Sequence, residues 1–236
     1  MKMLAIDTSN FVMGVAVVEE NKVIGEIITN LKKNHSVRVM NAVESLLKDC
    51  DIAPSELDRV VVAHGPGSYT GVRIGVTIAK TLAWTLNIPL IGVSSLEALA
   101  ANGRYFDGYI APLFDARRQQ LYTGLYEWNN ERSLLEVESD RLVINKDWAE
   151  HLKLYNKPIL FIGNDLPMHE ETLKEVLGEQ AVFAHVQQFN PRPSELAFLG
   201  IKKEPQSVHT FVPNYIRLAE AEANWLASQQ KGYKKV

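Results

Sequence analysis

Short apolar runs and helical stripes alternate along the chain. "KMLAIDTS" reads as a buried strand ending at a polar turn, and "FVMGVAVVEE" and "KVIGEIITN", joined across "ENK", extend it to a three-strand meander. In "SVRVMNAVESLLKDC" the apolar residues Val37, Met40, Val43 and Leu47 recur at helical spacing, with Arg38, Glu44 and Lys48 elsewhere around the axis. "RVVVAHG" is a short apolar strand of the kind covered on both faces. The glycine-rich "HGPGSYTGVRIG" then opens a helix through "VRIGVTIAKTLAWTLN", and "PLIGVS" and "SLEALAANG" add a strand and a short helix.

Near "NGRYFDG" the pattern restarts. "YIAPLFDA", "QQLYTGLYEW" and "SLLEVESD" again read as three strands, "INKDWAEHLKLYN" as a helix, and "PILFIGND" as a strand. "MHEETLKEVLG" is a helix with a glycine stop, "PSELAFLGIKKE" another, and "LAEAEANWLASQQKG" a last one. This repetition predicts an α/β protein of two duplicated lobes, 1–103 and 104–213, each a three-strand meander plus parallel strands and helices. A C-terminal helix over 214–230 is expected to pack back on the first lobe. Asp7 ends the first strand of one lobe and Asp115 that of the other, so the two are expected to face each other across a cleft.

Composition changes the picture in only a few respects. The 236 residues are 46% hydrophobic, enough for a sizeable core. A net charge of −3 argues against a protein that grips nucleic acid alone, since phosphate binding requires a clustered basic surface. The single cysteine, Cys50, can form no internal disulfide, which fits a reducing compartment. Asp7 interrupts the apolar N-terminus before a signal-peptide core forms. No run approaches the roughly 18 apolar residues that span a bilayer, so a cytoplasmic protein without membrane contact is expected.

Candidate chemistry centres on the glycine loop. Gly65, Gly67 and Gly71 could expose backbone N–H groups to an anion at a helix start, with Ser68 or Thr70 capping the helix or reaching a phosphate. Equally, the glycines could permit positive φ and close helix–strand contact, and the spacing favours this second reading. The stretch lacks the Gly-Lys-Ser/Thr ending of a P-loop, and no acid follows about 20 residues on to hold a ribose. Asp7 and Asp115 could hold a magnesium ion or simply cap their turns. The second turn, "DARRQQ", has no glycine and carries Arg117 and Arg118. No two histidines stand at i, i+3 or i+4; His35 is expected to cap or pack, and His64 to be a hydrogen-bonded strand-end residue. No Gly-x-Ser-x-Gly elbow occurs, and Cys50 sits between Asp49 and Asp51, a poor setting for a thiolate. The lysines of the tail "QQKGYKKV" are a weak pointer to tRNA.

Through "LAIDTS", "NHSVRVMNAVESLL", "GPGSYTGVRIG", "AKTLAW", "IPLIGVSSLEALA", "DARRQQLYTGLY" and "PNYIRLAEAE", the chain resembles the TsaB (YeaZ) family, relatives of TsaD of the glycoprotease (M22) group. The resemblance implies an actin-like ATPase (ASKHA, RNase H-like) fold. It also implies a non-catalytic scaffold that binds TsaD as a heterodimer. With TsaE, that complex would transfer threonylcarbamoyl to adenosine 37 of tRNAs reading ANN codons, with tRNA reached only through the complex. The TsaD metal-binding His-x-x-x-His pair falls here on Ser95 and Leu99, no aspartate stands near "RPSELAFLG", and "DARR" replaces the second glycine loop. Accordingly, no cofactor is expected on this chain alone, with ATP and metal on the partners. Asp7, Gly65, Gly67, Ser68, Gly71 and Asp115 are then vestigial phosphate-loop positions. The family pattern pairs the helix bearing Val37, Met40, Val43 and Leu47 and the helix bearing Ile74, Ile78 and Leu82 with the same helices of TsaD, or of a second copy in a homodimer. A glycoprotease-like metallopeptidase, an independent ATPase or sugar kinase, and a homodimeric module without a tRNA role are the alternatives.

Overall fold

The computed structural model describes residues 1–217. Strands β1 (Lys2–Asp7), β2 (Val12–Glu19) and β3 (Lys22–Asn30) form an antiparallel meander, and β4 (Arg59–Ala63) and β5 (Leu90–Val93) add in parallel beyond β1, giving the order β3-β2-β1-β4-β5. The second sheet repeats this plan with β6 (Tyr109–Asp115), β7 (Gln120–Trp128), β8 (Leu134–Ile144), β9 (Ile159–Ile162) and β10 (Ala181–Phe183), in the order β10-β9-β6-β7-β8. Two departures from expectation are local. Strand β8 continues past "SLLEVESD" through Ile144, and β10, too short to show an alternation, was not foreseen.

Helices α1 (Val39–Asp49) and α2 (Tyr69–Leu86) cover one face of the first sheet; α4 (Asn145–Leu152) and α5 (Glu170–Leu177) cover one face of the second. Because side chains alternate along a strand, Leu4, Ile6, Val60 and Val62 enter the core under α1 and α2, while Met3, Ala5, Val61 and Ala63 point to the opposite face. Burial on both sides is why these strands read as continuous apolar runs.

The remaining helices, α3 (Ser95–Ala100) and α6 (Pro193–Ile201), exchange partners. From the first half, α3 lays Leu96, Leu99 and Ala100 against Ile110, Phe114 and Ile162 of the second sheet. From the second half, α6 lays Leu196 and Ala197 against Met3, Val61 and Val93 of the first. The two helices also touch each other, so they form a middle layer between the sheets. A boundary at residue 103 therefore separates the two sheets but not the helices that cover them. Each sheet comes from one half of the sequence, but the third helix of each half belongs to the other half's core. A middle-layer helix must be largely apolar, as "SLEALA" and "PSELAFLGI" are apart from Glu97 and Glu195, which pair with Lys203 and Arg104. The expected helix over 214–230 is corrected at its start, since Asn214–Arg217 is not helical; its remainder lies outside the described residues.

The α6 crossover is held by Glu26 on β3, which accepts Ser194 N at 2.9 Å and Ser194 Oγ at 2.6 Å and pairs with Arg192 Nη2 at 2.6 Å. Burial alone would raise its carboxyl pKa, but the bonds from Arg192 and Ser194 outweigh it and hold the group below its ordinary 4.5. Stability from this group is therefore present above pH 4.5 and is lost as pH falls through the lower folded value. Glu26→Gln should cost about 2 kcal/mol at pH 7 in urea denaturation. The gap from wild type should shrink as pH falls below 4.5 and through the lower folded value; a gap that persists in strong acid would deny the charge its part.

Candidate functional site

The glycine loop lies at the meeting of β1, β4 and α2, and neighbouring backbone dictates its composition. Ser68 caps α2, its Oγ accepting from Gly71 N at 3.3 Å, while Ser68 N donates to Ser9 O at 2.7 Å. Thr8 Oγ1 donates to Gly71 O at 2.7 Å. A Cβ on Gly67 would collide with the carbonyl oxygen of Ser9, and one on Gly71 with that of Thr8. One on Gly75 would lie 2.6 Å from Thr8 Oγ1. Gly65, at φ +107°, has Asn214 O where its Cβ would stand, 2.6 Å away. The first turn of α2 is thus pressed against the β1–β2 turn, and the glycines serve close packing.

Behind this contact Asp7 is buried, with Oδ1 accepting from Ser9 N at 2.8 Å and Ser9 Oγ at 2.7 Å. Burial raises its pKa against the opposing pull of those bonds. Asp7 therefore caps its own turn. Ser95, at the first metal-ligand position of the TsaD pattern, is buried and accepts from Gly65 N at 3.1 Å. Leu99, at the second, belongs to the interlobe core. Among the described residues no group of three or more His, Cys, Asp or Glu is arranged to hold a metal ion.

A cleft of about 810 Å³ opens between the lobes. The first lobe contributes Phe11, Lys32, Lys33, His35, the loop from Gly67 to Gly71, and Ile74; the second contributes Phe114, Asp115, Arg117, Tyr122, Asp165 and Met168. The structure thus brings Asp115, Gly67, Ser68 and Gly71 to one cavity but leaves Asp7 behind the wall. Asp115 is held from both sides: His169 Nε2 lies 3.1 Å from its Oδ1, and its backbone N–H donates to Asp165 Oδ2 at 2.9 Å. Burial raises the pKa of Asp165, and the nearby Asp115 charge adds to it against the pull of that N–H bond. Sequence reasoning missed Asp165 and His169 because nothing at separations of about 50 residues marks them as neighbours of Asp115.

The "DARRQQ" turn takes a left-handed path without glycine, with φ of 64°, 54° and 59° at Arg117, Arg118 and Gln119. Each residue costs roughly 1 kcal/mol in that conformation, and Gln120 N to Arg117 O at 3.0 Å closes the turn. His35 Nε2 lies 2.7 Å from Asn10 O, tying the start of α1 to the β1–β2 turn. His64 packs its ring edge on Phe211 at 5.9 Å, and burial, helped by the Lys203 charge, lowers its pKa to about 4. The folded chain thus binds this proton less readily than the unfolded one, so stability falls as pH drops from 6.5 to 4. The His64 ring should stay neutral by NMR down to about pH 4; titration near 6.5 would place it in water.

The partner-facing expectation needs correcting in part. Val43 and Leu47 are core residues, 3% and 6% exposed, because the buried stripe of α1 runs through Val39, Val43 and Leu46. Val37 and Met40 are exposed at the start of α1, and Ile74, Ile78 and Leu82 are half-buried along one side of α2. A groove of about 410 Å³ between Ser36 and the first turns of α2 runs over Tyr69, Arg73, Ile74 and Ile78. Beyond it Trp84 is 68% exposed, a surface aromatic that periodicity alone did not mark.

The family model of TsaD, tRNA N6-adenosine threonylcarbamoyltransferase, matches residues 22–225. The chain is 60% identical over 231 residues to the tRNA threonylcarbamoyladenosine biosynthesis protein TsaB of Bacillus subtilis, covering 98% of this chain and 100% of that protein. YeaZ from Pseudomonas aeruginosa superimposes with a TM-score of 0.76 at 23% identity, covering 91% of this chain and 99% of that one. The ROK hexokinase from Thermus thermophilus gives a TM-score of 0.50 at 11% identity over 86% of this chain and 100% of that one, a likeness of fold alone. The two lobes are those of the actin-like fold.

Proposed function

The chain belongs to the TsaB family, and from that premise we propose that it acts in tRNA threonylcarbamoyladenosine biosynthesis as a non-catalytic subunit that docks TsaD through α1 and α2. The observation that carries the docking face is the groove over Ile74 and Ile78, flanked by exposed Val37 and Met40. Apolar surface of this kind on a polar-rimmed helix pair is what a helical partner covers. The same face would pair two copies of this chain when TsaD is absent, and TsaE would join the heterodimer.

Support for a non-catalytic role comes from the residues present. Ser95 and Leu99 are buried and occupied in structural contacts. A magnesium–polyphosphate group does not fit the cleft, because Ser68 N and Gly71 N of the loop are bonded to Ser9 O and Ser68 Oγ and Asp7 is spent on its own turn. Catalysis is accordingly assigned to TsaD. No helix among the described residues is long and apolar enough to cross a membrane, and a cytoplasmic place of action fits tRNA as substrate. The test is reconstitution with the cognate TsaD and TsaE. A stable complex with TsaD is expected, with the modified nucleoside formed only when TsaD is present. Formation by this chain alone, or failure to associate with TsaD, would overturn the reading.

A further inference from the structure

We propose that the interlobe cleft receives one nucleotide of an RNA strand, its base against Phe11 and its phosphate among Lys32, Lys33 and Arg117. The inference rests on the tRNA reading above for the source of the strand, and on the cleft itself for the chemistry.

The charges of the cleft are unequally engaged. Asp115 is occupied by His169, and Asp165 by the Asp115 N–H. By contrast, Lys32, Lys33 and Arg117 all line the cavity, and none of them makes a salt bridge among the described residues. Three free cations around a cavity call for an anion. The net charge of −3 conceals this local clustering, which lies where β3 leaves the first sheet and where the left-handed turn projects from the second.

The walls specify more than charge. Phe11 is 60% exposed on the β1–β2 turn and lines the cavity, so its ring is available to a planar group. Tyr69, the first residue of α2, adds a second ring to the lining, stacked on Tyr215 at 4.8 Å with Arg73 5.3 Å from its centroid. Free cations and exposed rings lining one cleft are how proteins hold an unpaired nucleotide. A volume of about 810 Å³ accommodates it. Ser68 N is spent on Ser9 O and Gly71 N on Ser68 Oγ, so the loop offers few free N–H donors to a polyphosphate, which favours a strand held by side-chain cations over a free nucleoside triphosphate.

Fluorescence anisotropy of the full chain with a fluorescein-labelled, unmodified tRNA anticodon stem–loop tests this. Saturable binding is expected at about 50 mM salt, weakening as salt rises. Lys32→Glu with Lys33→Glu should weaken it at least about 10-fold and lower the salt slope by about 1 to 2. Phe11→Ala should weaken it at least about 5-fold with the slope unchanged, since a stack and not a phosphate contact is removed. Lys153→Ala, a remote surface cation, should change nothing. No binding up to roughly 200 µM, binding indifferent to Phe11, or a Phe11-dependent affinity for ATP that displaces the RNA would each overturn the inference. Co-purification with TsaD is measured on the same variants. Wild type that binds TsaD but no RNA fails this inference alone, and wild type that binds RNA but not TsaD fails the docking reading alone.

Discussion

Ile78→Asp is expected to abolish association with TsaD while leaving this chain folded. Ile78 is half-buried on α2, packed at the edge of the core that Val72, Val76, Ala79 and Ala83 of the same helix fill. In the free chain an aspartate there can turn its carboxylate to water, so the melting temperature should move by only a few degrees. In the complex that carboxylate would be buried without a partner, at a cost of about 3 kcal/mol or more, a loss exceeding roughly 100-fold in affinity. Met40→Asp, at a residue 42% exposed, should act in the same direction. Val43→Asp is the contrasting case: at 3% exposure it places the charge in the core and should unfold the chain. A pull-down with cognate TsaD, read beside circular dichroism, separates the three. Retained binding by a folded Ile78→Asp chain would remove α2 from the interface.

Spacing alone groups buried Val43 and Leu47 with exposed Met40 on α1. A helix with apolar residues on more than one side offers two stripes, and spacing cannot say which meets the sheet. The register became clear only with α1 starting at Val39, which sets Val39, Val43 and Leu46 inward. The meanders were legible because alternation and turn residues are local signals. So were Asp7 and Asp115 as strand ends. The exchange of α3 and α6 was not, because choosing a sheet is a decision of tertiary packing. Nothing in "ARRQ" announces three successive left-handed residues, since arginine and glutamine carry no preference for that region. The His169–Asp115 and Asp165–Asp115 contacts join residues far apart in sequence and have no local signature.

The glycine loop yields the other large effect. Gly71→Ala is expected to destabilise the chain by at least about 3 kcal/mol, lowering the melting temperature by roughly 6 to 12 °C. The atom the new methyl group meets is the backbone oxygen of Thr8, which cannot rotate away, and Thr8 is itself fixed by its Oγ1 bond to Gly71 O at 2.7 Å. Relief requires the N-terminus of α2 to lift from the β1–β2 turn, which would strip the Ser68 N to Ser9 O bond of 2.7 Å as well. Gly67→Ala meets Ser9 O and should behave alike. Gly178→Ala isolates the conformational part of such a change, because Gly178 has φ +58° and nothing within 4 Å of the added carbon. With ψ at −127° the residue lies outside the left-handed helical well, so this conformational cost should be about 1 to 3 kcal/mol. Lifting α2 would also shift Tyr69 and Ile74, so Gly71→Ala should weaken TsaD association even below its melting temperature. Had these glycines been kept to let a phosphate approach, the substitution would leave stability intact and impair only anion binding. An unchanged melting temperature for Gly71→Ala would therefore restore the phosphate-cradle reading of the loop.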